Sequence, residues 1–240
     1  MEWLLLTAAS LVAGTIGGVI GFGSGVIMVP ILAWTFGAKA AVPIMAVAAL
    51  MANGSRVAVW WREVDWAAAA IYSATAIPFA ILGASTFLSL NVHAVELGLG
   101  VFLLAVVPVR HWLRRANLKL QRWHLALVGA GIGFLTGIVA STGPINAPFF
   151  LAYGLSKGAY LSTEALGSVA VGLGKTGTFT FYGAMTLENF LRGIGVGSGL
   201  MVGSIAGKRI VMRMDAAQFE TVMDAVILVA GVLMIATALN

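Results

Sequence analysis

The sequence predicts an all-α integral membrane protein made of two inverted repeats, each a broken or re-entrant helical hairpin followed by three transmembrane helices. Of 240 residues, 60% are hydrophobic and 10% are charged. A soluble domain carries about 25% charged residues, so this composition cannot build a water-facing surface. Long apolar runs follow one another with short polar joints between them. These runs fall into two sets of five with the same internal order, which is the signature of an internal repeat.

The apolar windows of the first set are 3–20, 26–37, 40–61, 67–89 and 92–112. Those of the second set are 123–140, 147–156, 158–184, 189–208 and 217–239. A helix crosses a bilayer with about 20 apolar residues, so most of these windows are long enough and the second of each set is too short. The first window lacks a basic leading segment and runs into a Gly-rich motif that the second half repeats, so it is expected to be retained rather than cleaved as a signal. The joints are Arg62-Glu63-Val64-Asp65, the basic stretch from Arg110 to Arg122, Glu188, and Lys208 to Asp215. The chain therefore divides into a first membrane repeat, 1–112, a basic cytoplasmic linker, 113–122, and a second membrane repeat, 123–240.

The repeat is visible residue by residue. Gly14, Gly17 and Gly18 lead through Gly21-Phe22-Gly23-Ser24-Gly25 to Pro30; the second copy runs through Gly133 and Gly137 to Ser141-Thr142-Gly143-Pro144-Ile145-Asn146-Ala147-Pro148. Pro30 and Pro148 are each followed nine residues later by a lysine, Lys39 and Lys157. Arg56 and Lys175, lone bases within apolar runs, follow at 26 and 27 residues.

Residues 3–37 as one straight helix would reach about 52 Å, too long for a core of about 30 Å, so segment 21–25 must bend the chain. If the bent stretch is one crossing, the halves are parallel and the loop bases divide seven (Arg62, Arg110, Arg114, Arg115, Lys119, Arg122, Arg192) against five (Lys39, Lys157, Lys208, Arg209, Arg213). If it enters and returns, the halves are inverted and only Lys39 and Arg192 stand against the other ten. Lys and Arg in short loops favour the cytoplasm, so the inverted arrangement is preferred, with both termini outside.

Broken backbone at membrane depth needs protein or a wet cavity around it. Gly23, Ser24 and Gly25 precede one short helix, and Ser141, Thr142 and Gly143 the other, with Pro144 in its first turn. Two helix N-termini near the midplane would offer free N–H groups and positive dipole ends to an anion. The hydroxyls of Ser24, Ser141 and Thr142 and the amide of Asn146 could add donors. Arg56 and Lys175, flanked by Asn53, Ser55, Thr176 and Thr178, either face that cavity or snorkel to the nearer surface. Their equivalence in the repeat favours the cavity. Glu164, read as lying in the first turns of its span, is expected chiefly as a dipole or capping-box partner, although an intramembrane carboxylate can also carry protons.

Several functions are excluded or disfavoured. There is no Cys, hence no thiolate metal site or thiol nucleophile. His93, His111 and His124 sit near span ends without ligand spacing, so no metal is expected. The run at 21–25 is no dinucleotide fingerprint, and no phosphate-binding loop of the GxxxxGK[ST] type is present, so neither a cofactor nor ATP use is predicted. The basic residues sit where topology signals belong, so nucleic acid is not expected as a partner. Trp3, Trp60, Trp61, Trp66, Trp112 and Trp123 mark the interfaces. No nucleophile and base pair meets at one depth, so the chain is not expected to be an enzyme.

The Gly-rich stretch Gly17-Gly18-Val19-Ile20-Gly21-Phe22-Gly23-Ser24-Gly25-Val26-Ile27-Met28-Val29-Pro30, its second copy ending at Pro148, the two-fold repeat and the mid-chain basic linker together resemble the sulfite exporter TauE/SafE family, also called the toluene sulfonate uptake permease family. The resemblance covers nearly the whole chain. It implies a multi-pass transporter of the bacterial plasma membrane for small organosulfur anions such as sulfite, sulfonates or sulfoacetate, often exported, with the breaks at Gly23 to Gly25 and Ser141 to Asn146 lining the path. The second copy reads Ala140-Ser141-Thr142-Gly143-Pro144 where the family often has more glycines, which leaves the exact anion open. Proton coupling and homo-oligomerisation are compatible with the sequence. The alternative is a transporter or channel for another small anion or a carboxylate.

Overall fold

The computed structural model describes residues 2–91, 119–139, 142–155 and 157–211, together with isolated positions between 97 and 115. The expected span over 217–239, most of that over 92–112 and half of the 113–122 linker lie outside the described residues. Within them the chain is helical: α1 (Glu2–Ile20), α2 (Ser24–Phe36), α3 (Ala38–Trp60), a 3-10 turn (Trp61–Glu63), α4 (Trp66–Ser89), α5 (His124–Ile138), α6 (Gly143–Ala152), α7 (Lys157–Phe181) and α8 (Leu187–Val211). Among the described residues there is no strand.

Among the described residues, four stretches are long and apolar enough to cross a membrane: Glu2–Ile20, Ala38–Glu63, Trp66–Ser89 and Leu187–Gly207. This is a multi-pass membrane protein. Helix α7 has 25 residues but a more polar sequence. The first break follows from glycine: Gly21 and Gly23 adopt φ of 85° and 100°, a left-handed backbone that ends α1 and starts α2 after two further residues. In the second break α5 stops at Val139 with extended backbone, and Pro144 stands in the first turn of α6. A proline there forfeits no helical hydrogen bond and brings its own φ. On the polar side, Asp65 caps α4 by accepting from the Ala68 N–H at 2.9 Å.

The helices pack through small residues. A Cβ at Gly14 or Gly18 of α1 would collide with the backbone of Leu200 or Ser204 of α8. Likewise, Gly129, Gly133 and Gly137 of α5 lie on the backbone at Tyr72, Ala76 and Ala80 of α4. Apolar burial does not drive helix association inside lipid, so close backbone approach and dispersion do more of the holding. Because each contact advances along both chains together, α1 runs parallel to α8 and α4 to α5. Gly193 meets Ile44 and Val47, and Gly197 meets Ala48 and Met51, so α3 also runs parallel to α8. Gly167 meets Tyr72 and Gly174 meets Ile77 and Ile81, so α7 runs parallel to α4. Between α3 and α7 the order reverses: Gly158 lies against Trp60 and Glu63, and Gly172 against Leu50. They are antiparallel.

The two ends of the bundle differ. At one end the Arg192 guanidinium sits 4.2 Å from the Phe36 ring centre, and Trp3 packs on the same ring at 6.3 Å. At the other, the Tyr153 hydroxyl donates to Asp65 Oδ2 at 3.3 Å and accepts from Arg122 Nε at 3.1 Å, while Glu63 rests on Gly158 beside Lys157. Trp3, Trp61, Trp66, Trp112 and Trp123 are exposed, as an interfacial belt requires.

Candidate functional site

A cavity of about 70 Å³ lies where the two breaks meet. On the same measure a water needs about 10–15 Å³, so several waters or one small anion can be held. Five segments line it. From the breaks come Gly21, Phe22, Ser24 and Gly25 on one side and Thr142 and Gly143 on the other, with Phe22 packed directly on Gly143. Helix α5 contributes Thr136, α3 contributes Met45, Ala49, Asn53 and Arg56 with Ala46 beside the first, and α7 contributes Glu164, Ser168, Gly172 and Lys175. In α3 and α7 the four positions have the spacing i, i+4, i+8, i+11, which is one face. The two sets are related by a constant offset of 119 residues. A helix with Glu, Ser and Lys on one face reads as less apolar than a lipid-facing span, which explains the sequence of α7.

Both intramembrane bases are buried. Arg56 is 7% and Lys175 3% exposed, so neither snorkels to a surface. The Arg56 guanidinium donates through Nη2 to Asn53 Oδ1, and Nη2 lies 3.4 Å from Glu164 Oε2. Its Nη1 is buried without a hydrogen-bond partner. Lys175 Nζ donates to the carbonyls of Thr136 at 2.7 Å and Val139 at 3.0 Å, and lies 5.7 Å from the Phe179 ring centre. It therefore caps the open C-terminal end of α5 with charge of the favourable sign. An ammonium has three N–H donors, which leaves Lys175 one beyond these two.

Glu164 corrects the expectation from sequence. Helix α7 begins at Lys157, seven residues earlier, so Glu164 lies two turns in and cannot cap the terminus. Its carboxylate faces the cavity, where Oε1 accepts from Ser168 Oγ at 2.7 Å and Asn146 Nδ2 at 3.5 Å. The neighbouring hydroxyls are also engaged elsewhere: Ser162 donates to the Gly158 carbonyl, and Thr163 Oγ1 accepts from the Asp65 N–H.

Of the residues singled out from the sequence, Ser24, Gly25, Asn53, Arg56, Thr142, Gly143 and Lys175 come together on the cavity wall. Gly23 does not reach it and serves as the left-handed turn before α2. Asn146 stands one layer behind, on Glu164. Thr178 donates to its own helix at the Gly174 carbonyl, away from the cavity. Ser141 lies outside the described residues. Thr136, Glu164 and Ser168 complete the polar lining without having been singled out as binding residues. The i, i+4 step from Glu164 to Ser168 to Gly172 was the available signal. No group of three or more metal-ligating side chains occurs among the described residues.

The family described as Sulfite exporter TauE/SafE matches this chain over residues 6–234. No curated protein and no solved structure matches it significantly.

Proposed function

The chain belongs to the sulfite exporter TauE/SafE family, and from that membership and the cavity we propose a secondary transporter that moves small organosulfur anions such as sulfite, sulfonates or sulfoacetate out across the bacterial plasma membrane. The observation that carries this is one small cavity shared by two helix N-termini and two buried bases, Arg56 and Lys175, inside an apolar bundle. A base at membrane depth costs at least about 2.5–3.5 kcal/mol. A buried ion pair is weak support for stability, so the Arg56–Glu164 pair is better understood as retained for a ligand. The unpartnered Nη1 of Arg56 and the N–H groups at Ser24 and Gly143 provide donors without a further fixed charge. Gly23 acts through the turn, Asn146 through Glu164, and Ser141 would extend the donor set.

Access alternates, in this proposal, by rocking of two inverted halves about the cavity. Three observations support the inverted arrangement. Helix α3 runs parallel to α8, which runs parallel to α1, so α2 must return between α1 and α3. The equivalent helices α3 and α7 are antiparallel. Helices α2 and α6, of 13 and 10 residues, rise about 20 and 15 Å and together match a core of about 30 Å when they meet tip to tip.

Reconstituted proteoliposomes test the function. Sulfite or a sulfonate should show saturable flux, with competition among sulfite, sulfoacetate and aryl sulfonates. Failure of all of these to move or compete would remove the substrate class, and flux that does not saturate would indicate a channel.

A further inference from the structure

We propose that Glu164 is the proton-binding residue of this site, and that anion and proton occupancy are coupled because a bound anion and the ionised Glu164 carboxylate compete for the Arg56 guanidinium. The proposal rests on the anion site above and adds what drives or gates it. Glu164 is 2% exposed, yet its carboxylate is on the cavity wall. Arg56 faces it from α3 with Asn53 holding the guanidinium, Tyr72 approaches from α4 against Asn146, Asn146 comes from α6, and Ser168 lies one turn on along α7. Lys175 is eleven residues further on, about 16 Å along the helix, and two of its three N–H donors go to the carbonyls of α5. Arg56 is therefore the cation in contact with Glu164.

A guanidinium that already pairs with one carboxylate can give only part of its charge to a second anion, and in a cavity this small the two anions repel each other strongly. Protonation removes the conflict. A proton from water adds to Glu164 Oε2, the ion pair opens, and Arg56 turns its donors to the anion; when the anion leaves, the pair re-forms and the proton returns to water. No other bond changes. By linkage, the anion must raise the proton affinity of Glu164 by the factor through which the proton raises anion affinity. The position equivalent to Glu164 in the first half is Met45, which cannot titrate, so only one half supplies a carboxylate to the site.

The test is equilibrium binding of an aryl sulfonate to the full-length protein as a function of pH. A sulfonate keeps one negative charge throughout, so any pH dependence belongs to the protein. In the wild type, binding is tight below the Glu164 midpoint and Kd rises about tenfold per pH unit above it. Glu164→Gln should bind at the low-pH affinity of the wild type and lose the tenfold-per-unit slope that begins at the Glu164 midpoint. Ser168→Ala, which removes the 2.7 Å hydrogen bond to the carboxylate but leaves the carboxylate itself, should keep the slope. A wild type without slope, or a Glu164→Gln protein with the wild-type slope, overturns the proposal. If neither protein binds sulfonate at any pH, the anion site itself is wrong and the proposal falls with it.

Discussion

Arg56 and Lys175 occupy equivalent positions and do different work. Arg56 crosses to Glu164 on the opposite helix, while Lys175 closes the end of α5 through the Thr136 and Val139 carbonyls. In a Glu164→Gln background, which leaves no unpaired carboxylate behind, Arg56→Gln should therefore weaken sulfonate binding about tenfold to a hundredfold, the worth of a charged hydrogen bond, with little change in fold stability. Lys175→Gln should weaken binding and also lower the melting temperature in detergent, because the α5 carbonyls lose a charged donor. Binding and thermal unfolding on the same preparations separate the two. Both residues were legible in the sequence because charge is scarce: 14 Lys and Arg are present, and the other twelve belong to joints and termini. Glu164 was not, because its role depends on where α7 begins, and the polar run around Ser162 and Thr163 offers more than one helix start.

At the scale of elements, the apolar windows located every described helix to within a few residues, and the Gly-rich and Gly-Pro signals located both breaks. The division of labour among the glycines was less legible, since a sequence does not show which of them touches another backbone. Gly14 and Gly133 do: a Cβ at either strikes the facing helix at Leu200 or Ala76. Gly54 of α3 has open space around the same position. Gly14→Ala and Gly133→Ala should each destabilise the protein by about 1–3 kcal/mol, the usual range for overpacking a tight contact. Gly54→Ala should be neutral or stabilising by up to about 1 kcal/mol, the helix propensity difference. Unfolding in detergent measures all three, and equal effects would mean that the α1–α8 and α4–α5 contacts are not close-packed.

Across the whole molecule, the decisive property is the relative orientation of the halves, since a shared cavity between inverted halves can be opened to either side by the same motion. Charge counting favoured this orientation from the sequence, and the direction of packing between α3 and α7 supports it. The two topologies differ in where they put Lys157: on the side of Lys39 if the halves are parallel, and on the opposite side if they are inverted. The chain contains no Cys, so single cysteines can be introduced at the exposed ends of α3 and α7 without background. Labelling of Lys39→Cys and Lys157→Cys in intact cells with a membrane-impermeant thiol reagent tests the arrangement most directly. Inverted halves predict that position 39 reacts from outside and position 157 only after the membrane is opened; reaction of both from the same side would contradict them.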